Sequence, residues 1–382
     1  MTILKNWAYR MTDQLTFIQL KPGISLGIEN YSVPAEGLYV PLLTIELAGR
    51  IQQSAIDEVV TVPAIIRGIL FLLGSDPDFK HKNDYESLIS GIPELTKSTA
   101  TESVKEFELE GDFEEAAIIM RGYHQLFPDD DEAMIMLGAL YVRIAGSQKQ
   151  QQTILEKTMM MEALQILESK YPQQKDNVLM LFYLGTLYQW QKSYLKAKEM
   201  WTHALQVAKG KKEKRLINTK LSDIEPLVRY EKGYQLILRG KADEGLAVLQ
   251  PILDEMPHWW NLHFFIAMGY QQKSQWDEAI SHFGKVLEIR GFHLQTAIEL
   301  SEIYLAKGEQ QKSIHWMEEA MLQNPENAEL ICRMAYLKAL TGSHTEAYEL
   351  LDSATASGGD SEMVASVKRQ IDTISGNDTE SS

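Results

Sequence analysis

His258 and His263 lie five residues apart, His282 and His293 lie eleven apart, and Cys332 is the only cysteine. These are the side chains that could ligate a metal or supply a nucleophile. A zinc site needs three or four donors converging on one point, and two donors from one helix meet only at spacings of three or four. His258 and His263 therefore fall on different faces, and His282 and His293 belong to other helical segments. They read as surface or packing histidines. A single cysteine excludes both a thiolate zinc cluster and an intramolecular disulfide. The chain also lacks a phosphate loop, a G-x-G-x-x-G fingerprint, a G-x-S-x-G nucleophile turn and an H-E-x-x-H pair. The expectation is no catalysis, no metal and no cofactor. Met159 to Met161 and the pair Trp259 and Trp260 read as helical core or groove residues.

One dense charge remains. Lys209, Lys211, Lys212, Lys214 and Arg215 place five cations within the seven residues KGKKEKR. Such a patch could take an anion or an acidic partner. The alternative, which the sequence favours, is that cations at the end of one helix complement its dipole and solvate a following loop. The whole chain carries a net charge of -16, which opposes non-specific attraction to nucleic acid or anionic lipid. No nucleic-acid partner is expected.

The elements that must position these residues recur with a fixed period. Gly233, Ala267, Ser301 and Ala335 are small residues 34 apart. Taking each as the eighth place of a block gives 226–259, 260–293, 294–327 and 328–361. The eleventh place then reads Leu236, Tyr270, Tyr304 and Lys338, the twentieth Gly245, Ala279, Ser313 and Ala347, and the thirty-second Pro257, Gly291, Pro325 and Gly359. Upstream, block 178–211 holds Gly185, Tyr188, Ala197, Trp201 and Ala204, and block 97–130 holds Phe107, Ala116, Met120, Tyr123 and Pro128. Leu137, Gly138 and Tyr141 mark another first helix, and Leu164, Leu167 and Pro172 a second helix about ten residues late, within 131–177. Two helices of a hairpin nest only where small side chains face each other, and Pro or Gly ends the second helix.

This pattern resembles the tetratricopeptide repeat, a 34-residue helix-turn-helix unit, over residues 97–361 in seven repeats. Val104, Lys338 and Lys209 depart from it at the eighth, eleventh and thirty-second places. The resemblance implies a mainly α fold, a right-handed α-solenoid of helix hairpins, followed by a terminal helix at 361–374 and a disordered tail at 375–382. It also implies a concave face lined by the second, fifth, ninth, twelfth and thirteenth places of the first helices. Those places carry Phe182, Trp190, Tyr230, Tyr234, Ile237, Phe264, Met268, Ile298, Leu305 and Tyr336. The family's carboxylate clamp is not reproduced, because its places hold Thr101, Lys105, Met136, Leu179 and Tyr183, with one cation among them.

Residues 1–96 fall outside the repeat and read as a small α+β cap. Leu15 and Phe17, then Ile24, Leu26 and Ile28, alternate with polar or small residues around Lys21-Pro22-Gly23, which predicts a hairpin. Leu42 to Val59, Pro63 to Leu73 and Asn83 to Ser90 read as helices. A helix-turn-helix at Val59 to Pro63 would suit a peptide-responsive regulator. Its segment, however, has 7 Lys plus Arg against 11 Asp plus Glu, where a DNA-binding domain needs a basic footprint. An enzyme with a site in 1–96 is the other alternative.

Met1 to Met11 contains Lys5, Asn6 and Arg10 and lacks a secretory apolar core, and no segment has a membrane-spanning length of apolar residues. A cytoplasmic, non-catalytic adaptor or scaffold is therefore expected. Its partner would be a protein or peptide, bound through a hydrophobic segment or helix in the groove. Self-association through the same groove is a further reading.

Overall fold

In the computed structural model, residues 2–28, 31–51, 60–80, 82–89, 91–147 and 153–376 are described. The chain divides into two compact units, Met1–Ile224 and Glu225–Ser382. Residues 1–96 thus share a unit with the first three repeats rather than standing alone.

The first unit opens with α1 (Thr2–Arg10), β1 (Leu15–Leu20), β2 (Leu38–Leu43), α2 (Thr44–Ile51), α3 (Val62–Ser75) and α4 (Lys82–Ile89). The hairpin expected between Leu15 and Ile28 is not formed. Instead β1 pairs antiparallel with β2, in the register Leu15 to Leu43 through Leu20 to Leu38. Leu38, Val40 and Leu42 alternate onto one face and bury it under α3, whereas Ile24 is exposed and Leu26 and Ile28 reach the core from a loop. The expected helix from Leu42 to Val59 is described only as α2; residues 52–59 lie outside the described residues, as does Ser90.

Helix α3 begins with the Thr61 hydroxyl accepting the Ala64 N–H at 3.3 Å, with Pro63 in its first turn. It is buried almost all round, from Ala64 to Ser75. A recognition helix needs a free face to enter a groove of DNA, and α3 has none. Gly68 lies against the backbone of Pro41, Gly74 against that of Ile118, and Gly122 against that of Leu70.

The hairpins follow. In the first unit they are α5 (Pro93–Glu110) with α6 (Phe113–Leu126), α7 (Asp131–Ser147) with α8 (Ile154–Lys170), and α9 (Val178–Trp190) with α10 (Tyr194–Val207). Residues 148–152, ahead of the late second helix of block 131–177, lie outside the described residues. Helix α11 (Lys211–Leu238) comes next, and the division between the units falls within it. The second unit contains α12 (Ala242–Leu249), α13 (Trp260–Gln272), α14 (Trp276–Arg290), α15 (Leu294–Ala306), α16 (Gln310–Gln323), α17 (Ala328–Leu340), α18 (His344–Ala356) and α19 (Ser361–Ser375). Ser375, expected in the tail, belongs to α19; residues 377–382 lie outside the described ones.

The small places are the close contacts between paired helices. Ala197, Ala267, Ala279, Ser313, Ala335 and Ala347 are fully buried. The Ser301 hydroxyl donates to the Ser313 carbonyl at 2.8 Å, so a polar residue is tolerated there because it is satisfied. At Gly185 a side chain would strike the Trp201 indole, which donates to the Phe182 carbonyl at 2.9 Å. Lys338, the departure at the eleventh place, is held by Glu346 at 2.9 Å.

A further recurrence emerges at the fifteenth place. Gly111, Lys192, Gly240, Ser274, Gly308 and Gly342 all have positive φ, between 56° and 92°. In each of these six repeats the next N–H donates back to the eleventh-place carbonyl, for example Ser193 to Tyr188 at 2.8 Å and Gln275 to Tyr270 at 3.0 Å. This is the Schellman closure of a helix end, and the left-handed residue is the one that favours glycine. Ser274 has a φ of 56° and Lys192 a φ of 62°. Ser274→Gly should therefore stabilise the protein, by about 0.5–1 kcal/mol, which thermal melting would register as a small rise in midpoint.

Candidate protein-binding site

The first helices α15 and α17 present their inward places side by side in the second unit, and α19 closes one flank. Between them is a cavity of ≈ 470 Å³ lined chiefly by Leu305, Met317, Leu337, Tyr336, Met363 and Val367. Helix α19 is held by Ile371, which is fully buried, and by the Tyr348 hydroxyl donating to Asp372 at 2.5 Å. At the rim, Arg333 bridges Glu302 and Glu329, with its Nη2 3.0 Å from the Glu329 carboxylate. Two carboxylates against one guanidinium leave this edge net acidic. Cys332 forms part of the wall; burial, with Glu329 nearby, pushes its thiol above the ordinary range, so it stays protonated and is a packing group.

Of the residues expected in the groove, Leu305 and Tyr336 line this cavity. The same rule of places also selects Glu302, Glu329 and Cys332; their polarity or size keeps them off an apolar list. Met363 and Val367 follow the last repeat, so no period points to them.

Other expected positions are covered. Tyr230 is buried because Trp259 covers it at a tilt, with ring centroids 4.2 Å apart, and Tyr234 is half-buried against Phe265 at 5.0 Å. Phe264 packs into the core between Phe283 and His293, and Ile298 packs with Ile314 and Leu330. Ile237 is fully buried where Gly245 and Gly269 make room for it. An inward place thus becomes core where large side chains of the same repeat, such as Trp259 over Tyr230 and Phe283 beside Phe264, or a neighbouring helix, cover it. Met268 is half-buried in the core around Phe283. Phe182 and Trp190, in the first unit, are half-buried, and the Phe182 ring lies edge-on to Tyr183.

The histidines show a contact that spacing misses. His263 and His282, on the paired helices α13 and α14, approach to 3.0 Å between their Nδ1 atoms. His263 Nε2 lies 2.9 Å from the Pro257 carbonyl, which can only accept, so it carries a proton. Burial, followed by His263, depresses His282 to about 4. A histidine depressed in the folded state takes up protons preferentially when unfolded. This stabilisation is complete above about pH 6.5, the unfolded value, and is lost as the pH falls towards 4. His282→Gln should flatten the fall in melting temperature between pH 7 and pH 5 relative to wild type, as followed by circular dichroism. Among the described residues, no group of three or more His, Cys, Asp or Glu side chains could hold a metal.

The cationic run is not at a helix end that it complements. Helix α10 stops at Val207, and Lys211, Lys212, Lys214 and Arg215 occupy the first turns of α11. The expected loop is helix, and α11 runs on through Pro226 at the head of the fourth repeat.

No protein-family model and no curated protein matches the chain. Solved structures similar to it include a tetratricopeptide repeat protein from Parabacteroides merdae ATCC 43184, at 15% identity over 72% of this chain and 98% of that one, with a TM-score of 0.37. The type IV pilus biogenesis factor PilW is similar at 15% identity over 61% and 98%, with a TM-score of 0.42. YrrB, described as a TPR protein with an unusual peptide-binding site, is similar at 18% identity over 49% and 86%, with a TM-score of 0.30.

The fixed period, the paired helices, the small-residue contacts and the repeated Schellman closures define an array of helical hairpins. Its repeat fold is that of the tetratricopeptide repeat. No helix among the described residues is long and apolar enough to cross a membrane.

Proposed function

We propose that this protein is a non-catalytic adaptor that holds a short apolar segment of a partner protein in the cavity between α15, α17 and α19. The observation that carries this reading is the apolar cavity of ≈ 470 Å³ at the inward places of the last two repeats. That volume is in the range of a ligand pocket and would seat one or two large side chains, the usual anchors of an interface. Its charged groups favour binding over chemistry. Arg333 is spent on Glu302 and Glu329, and Cys332 is a protonated wall residue.

The test is to select twelve-residue peptides by phage display on the full chain and measure their affinity for wild type and for Val367→Trp, which fills the cavity. The selected peptides should share an apolar anchor and lose about tenfold or more in affinity for the variant, the equivalent of about 1.4 kcal/mol. Equal affinity for a folded variant would place binding elsewhere.

A further inference from the structure

The turns of α11 from Lys211 to Ile224 exceed what the repeat requires, since the fourth block begins at residue 226. One face of this extension packs inward: Ile217 and Ile224 are fully buried, and Lys220 lies over the Trp201 ring at 5.6 Å. The opposite face is wholly exposed. Lys211, Lys214 and Arg215, then Asn218, Thr219 and Ser222, follow one another at helical spacing and line a single shallow depression. Lys209 and Lys212 flank it.

Among the described residues, no carboxylate side chain forms an ion pair with these cations. Lys241, Lys273, Lys307 and Lys338 in later repeats each pair with a carboxylate. Among the described residues, Lys209, Lys211, Lys212, Lys214 and Arg215 have no such partner. Glu213 is the one carboxylate interspersed with them, and its Oε2 accepts the Gly210 N–H at 3.2 Å. The first turns of a helix carry a partial positive charge, so four more cations there oppose the dipole. In a chain of net charge -16, this is a local charge arrangement that opposes the helix dipole and has no compensating ion pair among the described residues.

We propose that this exposed face of α11 is a docking surface for an acidic segment of a partner protein, an Asp/Glu-rich peptide. Its dimensions suit one. From Lys211 to Ser222 the helix advances about 16 Å, the length of about five extended residues. The cations lie at one end, while Asn218 and Ser222 offer hydrogen-bond donors along the rest. A membrane or duplex would bring the acidic remainder of the surface against further negative charge, whereas a short peptide would not.

The probe is a fluorescein-labelled hexaglutamate peptide, titrated by anisotropy against the full chain beside labelled dT12 and phosphatidylserine vesicles. We expect the peptide to bind, with affinity falling about fivefold or more between about 50 and about 200 mM NaCl. K211E/K214E/R215E should abolish binding and melt no lower than wild type, because it relieves the dipole conflict. The neutral K211Q/K214Q/R215Q should weaken binding about tenfold, and K285E/K312E, at exposed positions of the second unit, should leave it within twofold. The proposal is overturned if the peptide does not bind, if the oligonucleotide or vesicles bind more tightly, or if the glutamine variant binds as wild type does. Salt-sensitive dimerisation of the free chain, lost in the glutamine variant, would overturn it in favour of a second copy as the occupant.

Discussion

Gly122→Val is expected to cost the protein about 3 kcal/mol or more, because α3 and α6 meet backbone to backbone at this residue. A Cβ placed on Gly122 would lie 1.8 Å from the Leu70 carbonyl oxygen, and one on Gly74 would lie 1.9 Å from that of Ile118. Neither obstacle is a flexible side chain that can swing away. The helices must separate, and separation strips dispersion contacts from Ile66, Ile69, Leu70, Ile118 and Ile119, all of them buried. Chemical denaturation should show a lower midpoint. Gly74→Ala should behave similarly, because it enters the same crossing from the other helix. By contrast Gly146→Ala, at a helical position with nothing within 4 Å of an added Cβ, should not destabilise.

Ala279→Trp is expected to have the second large effect. Ala279 is the twentieth place of its repeat and is fully buried against Phe264, Ala267 and Phe283. An indole at that point forces α13 from α14. A loss of about 3 kcal/mol in a compact unit the size of Glu225–Ser382 corresponds to a fall of about 6–12 °C in its melting temperature. An unchanged melting curve would mean that the twentieth place is not a helix contact, and the repeat register would have to be redrawn.

These two sites differ in how far they can be read from sequence. Ala279 is legible because its neighbours in the period, Gly245, Ser313 and Ala347, are small for the same reason. Gly74 and Gly122 meet once, between the N-terminal cap and the first repeat, so no recurrence marks them. The fifteenth-place turn does recur, but Lys192 and Ser274 occupy it as often as not in the middle of the array, and only the φ angles unify them with the glycines. The strand pairing of Leu15 with Leu43 depends on burial beneath α3, which a local turn signal at Lys21-Pro22-Gly23 cannot express.

The candidate site divides in the same way. Place rules locate Leu305 and Tyr336, because the first helices repeat. They mislead at Tyr230, Phe264, Ile237 and Ile298, where Trp259, Phe283, room beside Gly245 and Gly269, and Ile314 with Leu330 respectively convert an inward place into core. The wall supplied by α19, with Met363, Val367 and Gln370, stands outside the period altogether. For Lys211 to Arg215 the error lies in a single boundary: the same cations favour the end of one helix and oppose the start of the next.

The claim that an apolar partner segment is held between α15, α17 and α19 is tested most directly by methyl-labelled methionine NMR. Met317 and Met363 line the cavity, whereas Met120 and Met159 are buried in the first unit and serve as internal controls. Titration with a peptide selected on the full chain should shift the Met317 and Met363 methyl signals saturably and leave those of Met120 and Met159 in place. Saturable binding that moves neither Met317 nor Met363 would contradict the assignment of this cavity as the site.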